Sequence, residues 1–245
     1  MQTPLKVVEL SKDYDDKNAV KNISFEVKQN EIVGILGPNG CGKTTTIGMI
    51  LGLLKPSKGK VLINETEIEN KRVDLLSNLN FISPYIELPK KLTVRQNLEV
   101  YGRLYDVKKL KTKIEYLSEE LRLNEIINKI TGELSSGQKN RVSLAKSIIN
   151  DPMVLLLDEP TASLDPETGD FVRSFLEKYQ KKKRTSILLA SHNMVEVERL
   201  CSSVLMMNKG SIIERGKPVE LIKKYNRKNM EEVFLKLTRE KHEFK

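Results

Sequence analysis

The sequence predicts an α/β fold, in which a mostly parallel sheet packs against helices. Mostly apolar runs at residues 153–157 and 186–190 are typical of buried parallel strands, and a helical pattern follows each of them. Apolar and polar side chains alternate at residues 23–27, which predicts a small antiparallel sheet near the N-terminus. From residue 84 to 148 the pattern is mainly helical, which predicts an α-helical lobe inserted into this core.

The single elements follow from apolar patterns and from the turn signals between them. Pro56 and Gly59 end the first helix. Asp165 caps a later helix that has Pro166 in its first turn. The predicted strands are residues 5–10, 23–27, 32–36, 61–63, 153–157, 186–190, 204–207 and 211–214, the last two joined by a hairpin turn at 208–210. The first helix is predicted to start at Thr45, and a further helix is predicted around Met194–Leu200.

We expect one domain over residues 1–245. Its core lobe is predicted at 1–83 and 149–217, its helical lobe at 84–148 and a helical tail at 218–245. Apolar residues recur at helical spacing in the tail and form one face of a helix. We interpret this helix as docked on its own core. That face consists of Met230, Val233, Phe234 and Leu237.

The composition is that of a soluble globular protein, with 39% hydrophobic and 31% charged residues. No apolar run approaches the ~18 residues of a membrane span, and the start, Met1-Gln2-Thr3-Pro4, lacks a signal-peptide pattern. Cys41 and Cys201 lie far apart and have no metal-ligand spacing. We therefore expect no disulfide framework, and a reducing cytosol is the natural compartment.

The net charge of +9 is compatible with nucleic acid or an anionic membrane surface as a partner. However, the lysines are spread along the chain, only 5% of the residues are aromatic, and no basic motif with interleaved aromatics occurs. We therefore favour a lysine-rich solvated surface and expect no nucleic-acid partner.

Residues 37–45 fit the phosphate-loop pattern G-x-x-x-x-G-K-[ST], with an apolar strand before them and a helical stretch after them. Glycines let several N–H groups point at one anion, and the helix N-terminus adds its positive dipole end. The Lys43 ammonium suits the β- and γ-phosphates, and the Thr44 hydroxyl suits Mg²⁺. We interpret Cys41 as a small residue that fills the loop. The predicted nucleotide-binding residues here are Gly37, Pro38, Asn39, Gly40, Cys41, Gly42, Lys43, Thr44 and Thr45.

Two acids follow the buried strand at 153–157. Asp158 stands where open α/β sheets bind ligands, and we predict that it holds Mg²⁺ directly or through water. Glu159 is the candidate to polarise a water for attack on the γ-phosphate. Upstream, Ser135-Ser136-Gly137-Gln138 precedes a helical run, and such a start is a second candidate anion site.

The phosphate loop, Leu134-Ser135-Ser136-Gly137-Gln138, the Asp158-Glu159 strand end, Ser163-Leu164-Asp165 and Ser191-His192 occur in one order at familiar spacings. Together they resemble the ATP-binding subunit of an ABC transporter, over about residues 5–217. The resemblance implies a P-loop NTPase fold with a RecA-like core, ATP and Mg²⁺ as cofactors, and ATP hydrolysis that powers transport. Residues 134–138 resemble the family signature L-S-G-G-Q, with Ser136 at the first glycine position.

The resemblance also implies how the site is completed. Two subunits stack head to tail, either as a homodimer or with a second ABC ATPase, so that Ser135 and Gly137 of one contact the γ-phosphate held by the other. Asp165 belongs to the loop that couples the two sites. His192 is implied to contact the γ-phosphate and the attacking water. Tyr14 matches the aromatic that stacks on adenine.

One position departs from the family. Pro84 occupies the place of a Gln that touches Mg²⁺ and senses the permease, and Pro has neither a side-chain oxygen nor an N–H. Our hypothesis is that Ser83 or a water supplies the missing ligand.

The resemblance implies a separate transmembrane permease as the partner and a location at the cytoplasmic face of the membrane. Residues 230–237 look like the tail of exporter-type subunits. A soluble ABC ATPase that acts in macromolecular assembly remains the alternative.

Overall fold

The computed structural model describes residues 3–15, 17–68, 72–84 and 86–240. The strands within them are β1 (Leu5–Tyr14), β2 (Lys17–Val27), β3 (Ile32–Leu36), β4 (Lys58–Ile63), β5 (Thr66–Glu67), β6 (Leu79–Ile82), β7 (Val154–Asp158), β8 (Ser186–Ser191), β9 (Ser203–Asn208) and β10 (Ser211–Gly216). The helices are α1 (Lys43–Ile50), α2 (Arg72–Leu76), α3 (Val94–Leu104), α4 (Leu110–Glu120), α5 (Ser136–Ser147), α6 (Pro166–Lys183), α7 (Met194–Leu200), α8 (Pro218–Lys224) and α9 (Met230–Glu240).

The chain divides into two compact units. One consists of Met1–Leu75 with Ser186–Lys245, and the other of Leu76–Thr185. The helical stretch that the sequence places at 84–148 lies inside the second unit. The lobe boundaries given above stay a prediction.

The first unit contains both kinds of sheet that the sequence predicts. One sheet is antiparallel, in the order β2-β1-β4-β5. In the other, β3 lies between the parallel strands β8 and β9, and β10 pairs antiparallel with β9. All five residues of β3 are buried, as expected of a central parallel strand. The predicted α/β architecture with an N-terminal antiparallel sheet is confirmed.

Strands β1 and β2 are longer than the sequence predicts. The register of their pairing shifts between Leu10 and Lys12 and again between Lys12 and Asp13, and Asn22 of β2 has a positive φ angle of 48°. Such bulges add a residue to one strand and shift its faces, so the alternation of apolar and polar side chains is lost there. The prediction therefore stopped at residue 10 in one strand and started only at residue 23 in the other.

The second unit contains a parallel pair, β6 and β7, and the helices α3 to α6. The two strands run in register from Leu79 opposite Val154 to Ile82 opposite Leu157. The sequence analysis did not identify β6, which has only four residues and carries the buried Asn80. The Asn80 side-chain NH2 donates to the Ser147 carbonyl at 2.6 Å, so tertiary contacts satisfy the donor side of this buried amide.

The second unit also has a charged cluster around Asp151. The Asp151 carboxylate accepts hydrogen bonds from the ammonium groups of Lys113 at 2.7 Å and Lys183 at 2.9 Å, and from the Tyr179 hydroxyl at 3.3 Å. Burial raises the pKa of Asp151, but the hydrogen bonds from Lys113 and Lys183 outweigh it, so the pKa lies below its ordinary value. The cluster connects α4 and α6 to the segment before β7.

We expect Asp151→Asn to lower the free energy of unfolding by about 1 kcal/mol at neutral pH, because the half-buried Lys113 loses its partner and Asp151 itself is partly screened. The lowered pKa means that this stability is present above the ordinary carboxyl pKa and is lost as the pH falls through the lower, folded-state pKa. Urea unfolding at neutral pH and at about pH 3 measures it. The exposed Asp106→Asn is the control, and an equal loss at both pH values contradicts the account.

The C-terminal helices α8 and α9 pack in the first unit, where α9 contacts α7 and α8. Met230 and Val233 are fully buried, and Leu237 nearly so. The interpretation of this apolar face as one docked on its own core is confirmed. Across the part of the chain that the structure describes, we found no helix with both the length and the apolar character needed to cross a membrane.

Candidate functional site

The phosphate-loop segment connects β3 to α1 in the first unit. Gly40 and Gly42 have φ angles of 76° and 111°, which side chains with a Cβ rarely adopt. At Gly42 a Cβ would also lie 2.7 Å from the Ala19 carbonyl oxygen of β2. The loop therefore needs glycine at this position for its backbone angle and for its packing against β2.

The loop exposes Pro38, Asn39, Gly40 and Thr44 and buries Lys43. The Lys43 ammonium donates hydrogen bonds to the carbonyls of Gly37 at 2.6 Å and Pro38 at 3.3 Å, which hold it at the loop. Because α1 begins at Lys43, its first N–H groups have no intrahelical partner and carry the positive end of the helix dipole. This arrangement suits a polyphosphate.

Cys41 packs inside the loop. It is 3% exposed, and its carbonyl accepts a hydrogen bond from the Gly210 N–H in the β9–β10 turn at 3.0 Å. Its sulfur lies 2.6 Å from the position that a Cβ on Gly37 would take. Burial raises the pKa of the Cys41 thiol, which disfavours the reactive thiolate. These contacts support its interpretation as a space-filling residue.

His192 leaves the same sheet edge as the loop. Ser191, the last residue of β8, lies opposite Leu36, the last residue of the neighbouring parallel strand β3. The next residues, His192 and Gly37, therefore start from adjacent strand ends. His192 is exposed, in the turn before α7. The structure thus brings His192 and the loop together within one unit.

Tyr14 is the last residue of β1, whereas the sequence analysis ended that strand at residue 10. Tyr14 is 44% exposed, and the Lys12 ammonium lies 5.1 Å from the ring centroid. Strand β2 returns from this end of the hairpin past Gly42, through Ala19. An exposed aromatic on this hairpin is suited to stacking on a base.

In the second unit, Asp158 and Ser83 follow paired strand positions. Because Ile82 lies opposite Leu157, Ser83 stands beside Asp158 at the carboxyl end of the pair. Ser83 and Asp158 are buried, whereas Pro84 is exposed. The sequence analysis named both residues but missed β6, and only the register of β6 shows that they are neighbours.

Glu159 follows Asp158 with a φ angle of 52°, an unusual conformation for a residue with a side chain. It lines a cavity of about 290 Å³ in the second unit. Ser83, Pro84, Ser136 and Ser163 line the same cavity. The structure thus brings Glu159 close to Ser136 of the signature-like segment.

Ser135 begins α5 with a capping box. Its hydroxyl oxygen accepts from the Gln138 N–H at 3.2 Å, and the Gln138 side-chain oxygen accepts from the Ser135 N–H at 3.0 Å. This use of the oxygen as an acceptor leaves the hydroxyl proton for donation to another group. Ser135 and Ser136 are exposed, and Gly137 lies near Thr168 of α6.

Asp165 caps α6, as predicted, by accepting from the Thr168 N–H at 2.9 Å. The hydrogen bonds from Thr168 hold the pKa of Asp165 below its ordinary value. Since Gly137 lies near Thr168, the Asp165 cap and the signature-like segment meet at the start of α6.

The hydroxyl and carboxylate oxygens among these residues suit Mg²⁺ rather than a transition metal. Across residues 3–15, 17–68, 72–84 and 86–240, no three His, Cys, Asp or Glu side chains gather as a ligand set. Mg²⁺ is usually held by one or two protein oxygens together with phosphate oxygens and water. Taken separately, the Thr44 hydroxyl in the first unit and the Asp158 carboxylate in the second are each an oxygen donor of that kind.

Comparison with known proteins shows which family has this loop, these strand ends and these helix starts. A family model described as "ABC transporter" matches residues 20–162. The chain belongs to the ABC transporter family. This ABC subunit binds ATP, and its hydrolysis of ATP energises transport. Subunits of this kind work with transmembrane components and dimerise.

Two curated relatives cover most of this ABC subunit. The ABC transporter ATP-binding protein NatA of Bacillus subtilis is 32% identical over 236 residues, which span 94% of this chain and 96% of NatA. The Nod factor export ATP-binding protein I of Rhizobium johnstonii is 38% identical over 215 residues, which span 87% of this chain and 69% of that relative.

Solved structures share the fold. The ATP-binding subunit of an ABC transporter matches with a TM-score of 0.89 and 25% identity, over 96% of this chain and 100% of that chain. A dimeric ATP-binding cassette with ADP and phosphate, in a post-hydrolysis state, matches with a TM-score of 0.79 and 24% identity, over 87% and 98% of the two chains. The predicted P-loop NTPase fold is confirmed.

Proposed function

We propose that this ABC subunit hydrolyses Mg²⁺-bound ATP with Lys43, Thr44, Asp158, Glu159 and His192, and that it does so while paired with a second ABC subunit. The observation that carries the proposal is the register of β3 and β8, which starts the phosphate loop and His192 from adjacent strand ends. A γ-phosphate bound by the loop N–H groups and Lys43 then lies near the exposed His192.

Mg²⁺ supplies positive charge to the phosphate oxygens when it is bound. In our proposal the Thr44 hydroxyl and the Asp158 carboxylate hold it. Both positions are compatible with that role, because Thr44 is exposed at the start of α1 and Asp158 ends a buried strand. Tyr14 is the proposed stacking partner of the adenine.

The reaction transfers the γ-phosphoryl group to water, so catalysis rests on positioning and electrostatics. Glu159 accepts a hydrogen bond from the attacking water and orients it. His192 donates to the γ-phosphate and contacts the attacking water. Lys43 and the loop N–H groups stabilise the negative charge that spreads over the equatorial oxygens.

The second subunit contributes Ser135 and Gly137 to the same γ-phosphate. The capping box supports this role, because it fixes the Ser135 hydroxyl at a helix start with its proton available for an oxyanion. ATP thus joins the two subunits, and hydrolysis releases them. Asp165, at the start of α6, couples one site to the other.

We propose that a separate transmembrane permease holds this subunit at the cytoplasmic face of the membrane and that the complex exports its substrate. The name of the relative from Rhizobium johnstonii, an export ATP-binding protein, supports that direction. A role in macromolecular assembly, which the sequence left as the alternative, is not favoured by the transport names of the relatives.

Substitution of Ser83 tests whether this residue supplies the Mg²⁺ ligand that Pro84 lacks. Because the register puts Ser83 beside Asp158, we expect Ser83→Ala to weaken Mn²⁺ binding in the presence of ATP about tenfold. Titration of Mn²⁺ followed by electron paramagnetic resonance measures this independently of turnover. ATPase rates with the permease present give the second readout, in which Pro84→Gln is expected to be faster than the parent.

Ser143→Ala is the matched control, since Ser143 lines the same cavity but lies on α5. It is expected to leave Mn²⁺ binding unchanged. If Ser83→Ala also leaves it unchanged, Ser83 does not supply the missing ligand.

A further inference from the structure

A buried hydrogen-bond relay encloses the turn that carries His192. The side chain of Glu196, in the first turn of α7, is fully buried, and so is Ser191. The Ser191 hydroxyl donates to Glu196 Oε2 at 2.7 Å, and Ser191 Oγ itself accepts from the Asn193 N–H at 3.0 Å. The relay therefore runs from the Asn193 N–H, through the Ser191 hydroxyl, to the buried Glu196 carboxylate.

A carboxylate is costly to bury unless it is hydrogen-bonded, so its place here needs a reason. An acid in the first turn of a helix is stabilised by the dipole even at the surface, and α7 already has Asn193 as its cap. Asn193 Oδ1 accepts from the N–H groups of Val195 at 3.1 Å and Glu196 at 3.2 Å. Helix initiation therefore does not require that the Glu196 side chain be buried and turned to Ser191.

We infer that Glu196 and Ser191 are positioning residues that hold the His192 backbone at the edge of the phosphate site. Ser191 is pinned on one side by its register with Leu36 and on the other by Glu196. Asn193 is tied back to Ser191, so His192 is fixed at both of its peptide bonds. The inference rests on the proposed role of His192 and adds to it the groups that place its imidazole.

The test uses the full chain and two readouts. Ser191→Ala and Glu196→Ala are expected to lower kcat for ATP hydrolysis roughly tenfold to hundredfold at an unchanged KM, because a catalytic group displaced by about 1 Å loses that much. Glu196→Gln keeps an oxygen that accepts from Ser191, and we expect it to retain kcat within about threefold. Equal loss in Glu196→Gln and Glu196→Ala overturns the relay as a hydrogen-bonding device.

The second readout is the NMR signal of the His192 ring. The sequence has 2 histidines, His192 and His242, so His192→Ala assigns the signal. We expect Ser191→Ala and Glu196→Ala to shift it, whereas the buried Val197→Ala lowers the melting temperature and leaves both the signal and kcat unchanged. An unmoved signal in both relay variants overturns the inference. If Glu196→Ala is too unstable to measure, an unmoved signal in Ser191→Ala alone overturns it.

The same variants separate the inference from the function on which it rests. If His192→Ala keeps the full kcat of the parent, the proposed role of His192 is wrong. The ring signal still decides whether the relay holds the residue in place.

Discussion

Glu159→Gln is expected to slow ATP hydrolysis by about 10²- to 10³-fold while ATP stays bound. The amide keeps the size of the side chain but cannot take a proton from the attacking water. Glu159 directly follows Asp158 and is held at a φ angle of 52°, a conformation that proteins retain mainly where surrounding structure requires it. Phosphate release under saturating ATP, and retention of labelled ATP on a desalting column, measure the two effects.

Glu115→Gln is the matched control, because Glu115 is an exposed acid on α4. This variant is expected to hydrolyse ATP at the parental rate. A Glu159→Gln variant with parental turnover excludes Glu159 as the residue that orients the water. A variant that fails to retain ATP points to a role of Glu159 in binding instead.

Lys43→Ala is expected to weaken ATP binding about 10- to 100-fold, because a charge-assisted contact to phosphate is worth roughly 1.5–3 kcal/mol. The Lys43 ammonium is held at the loop by the carbonyls of Gly37 and Pro38, so its position is set before any phosphate binds. Equilibrium titration with a fluorescent ATP analogue measures the loss. The melting temperature without nucleotide is expected to change little in comparison.

Lys6→Ala serves as the control for the removal of one positive charge. Lys6 is exposed on β1, and its loss changes the net charge by the same amount without touching the loop. Equal weakening in both variants attributes ATP binding to the overall charge of the protein. Unchanged binding in Lys43→Ala contradicts the phosphate-loop assignment.

Much of the site could be predicted because its signals are local. The glycines at positions 40 and 42 are needed for their backbone angles, and Asp165 with Pro166 is a helix start that neighbouring residues alone define. The capping box of Ser135 and Gln138 has an equally local S-x-x-Q signal. From the sequence these residues were interpreted as an anion site and as the family signature, but the capping box was not identified.

The parts that were missed depend on contacts between residues distant in sequence. The strand β6 is short and contains Asn80, whose burial makes sense only with its hydrogen bond to Ser147. Glu196 reads in the sequence as an ordinary surface acid at a helix start, and only the packed structure shows it buried against Ser191. The bulged strand β1 loses its alternation after Leu10, where its pairing with β2 shifts register, so its length could not be inferred from periodicity.

The central claim is that this chain forms half of an ATP site that a second ABC subunit completes. The most direct measurement is the mass of Glu159→Gln by light scattering after size exclusion, with and without ATP and Mg²⁺. We predict the 28.0 kDa chain without nucleotide and twice that mass with ATP and Mg²⁺. Gly137→Asp in the same background is expected to bind ATP and remain single, because the new carboxylate repels the partner's γ-phosphate. If Glu159→Gln binds ATP but keeps the mass of a single chain, at ATP concentrations well above its dissociation constant, the result contradicts the claim.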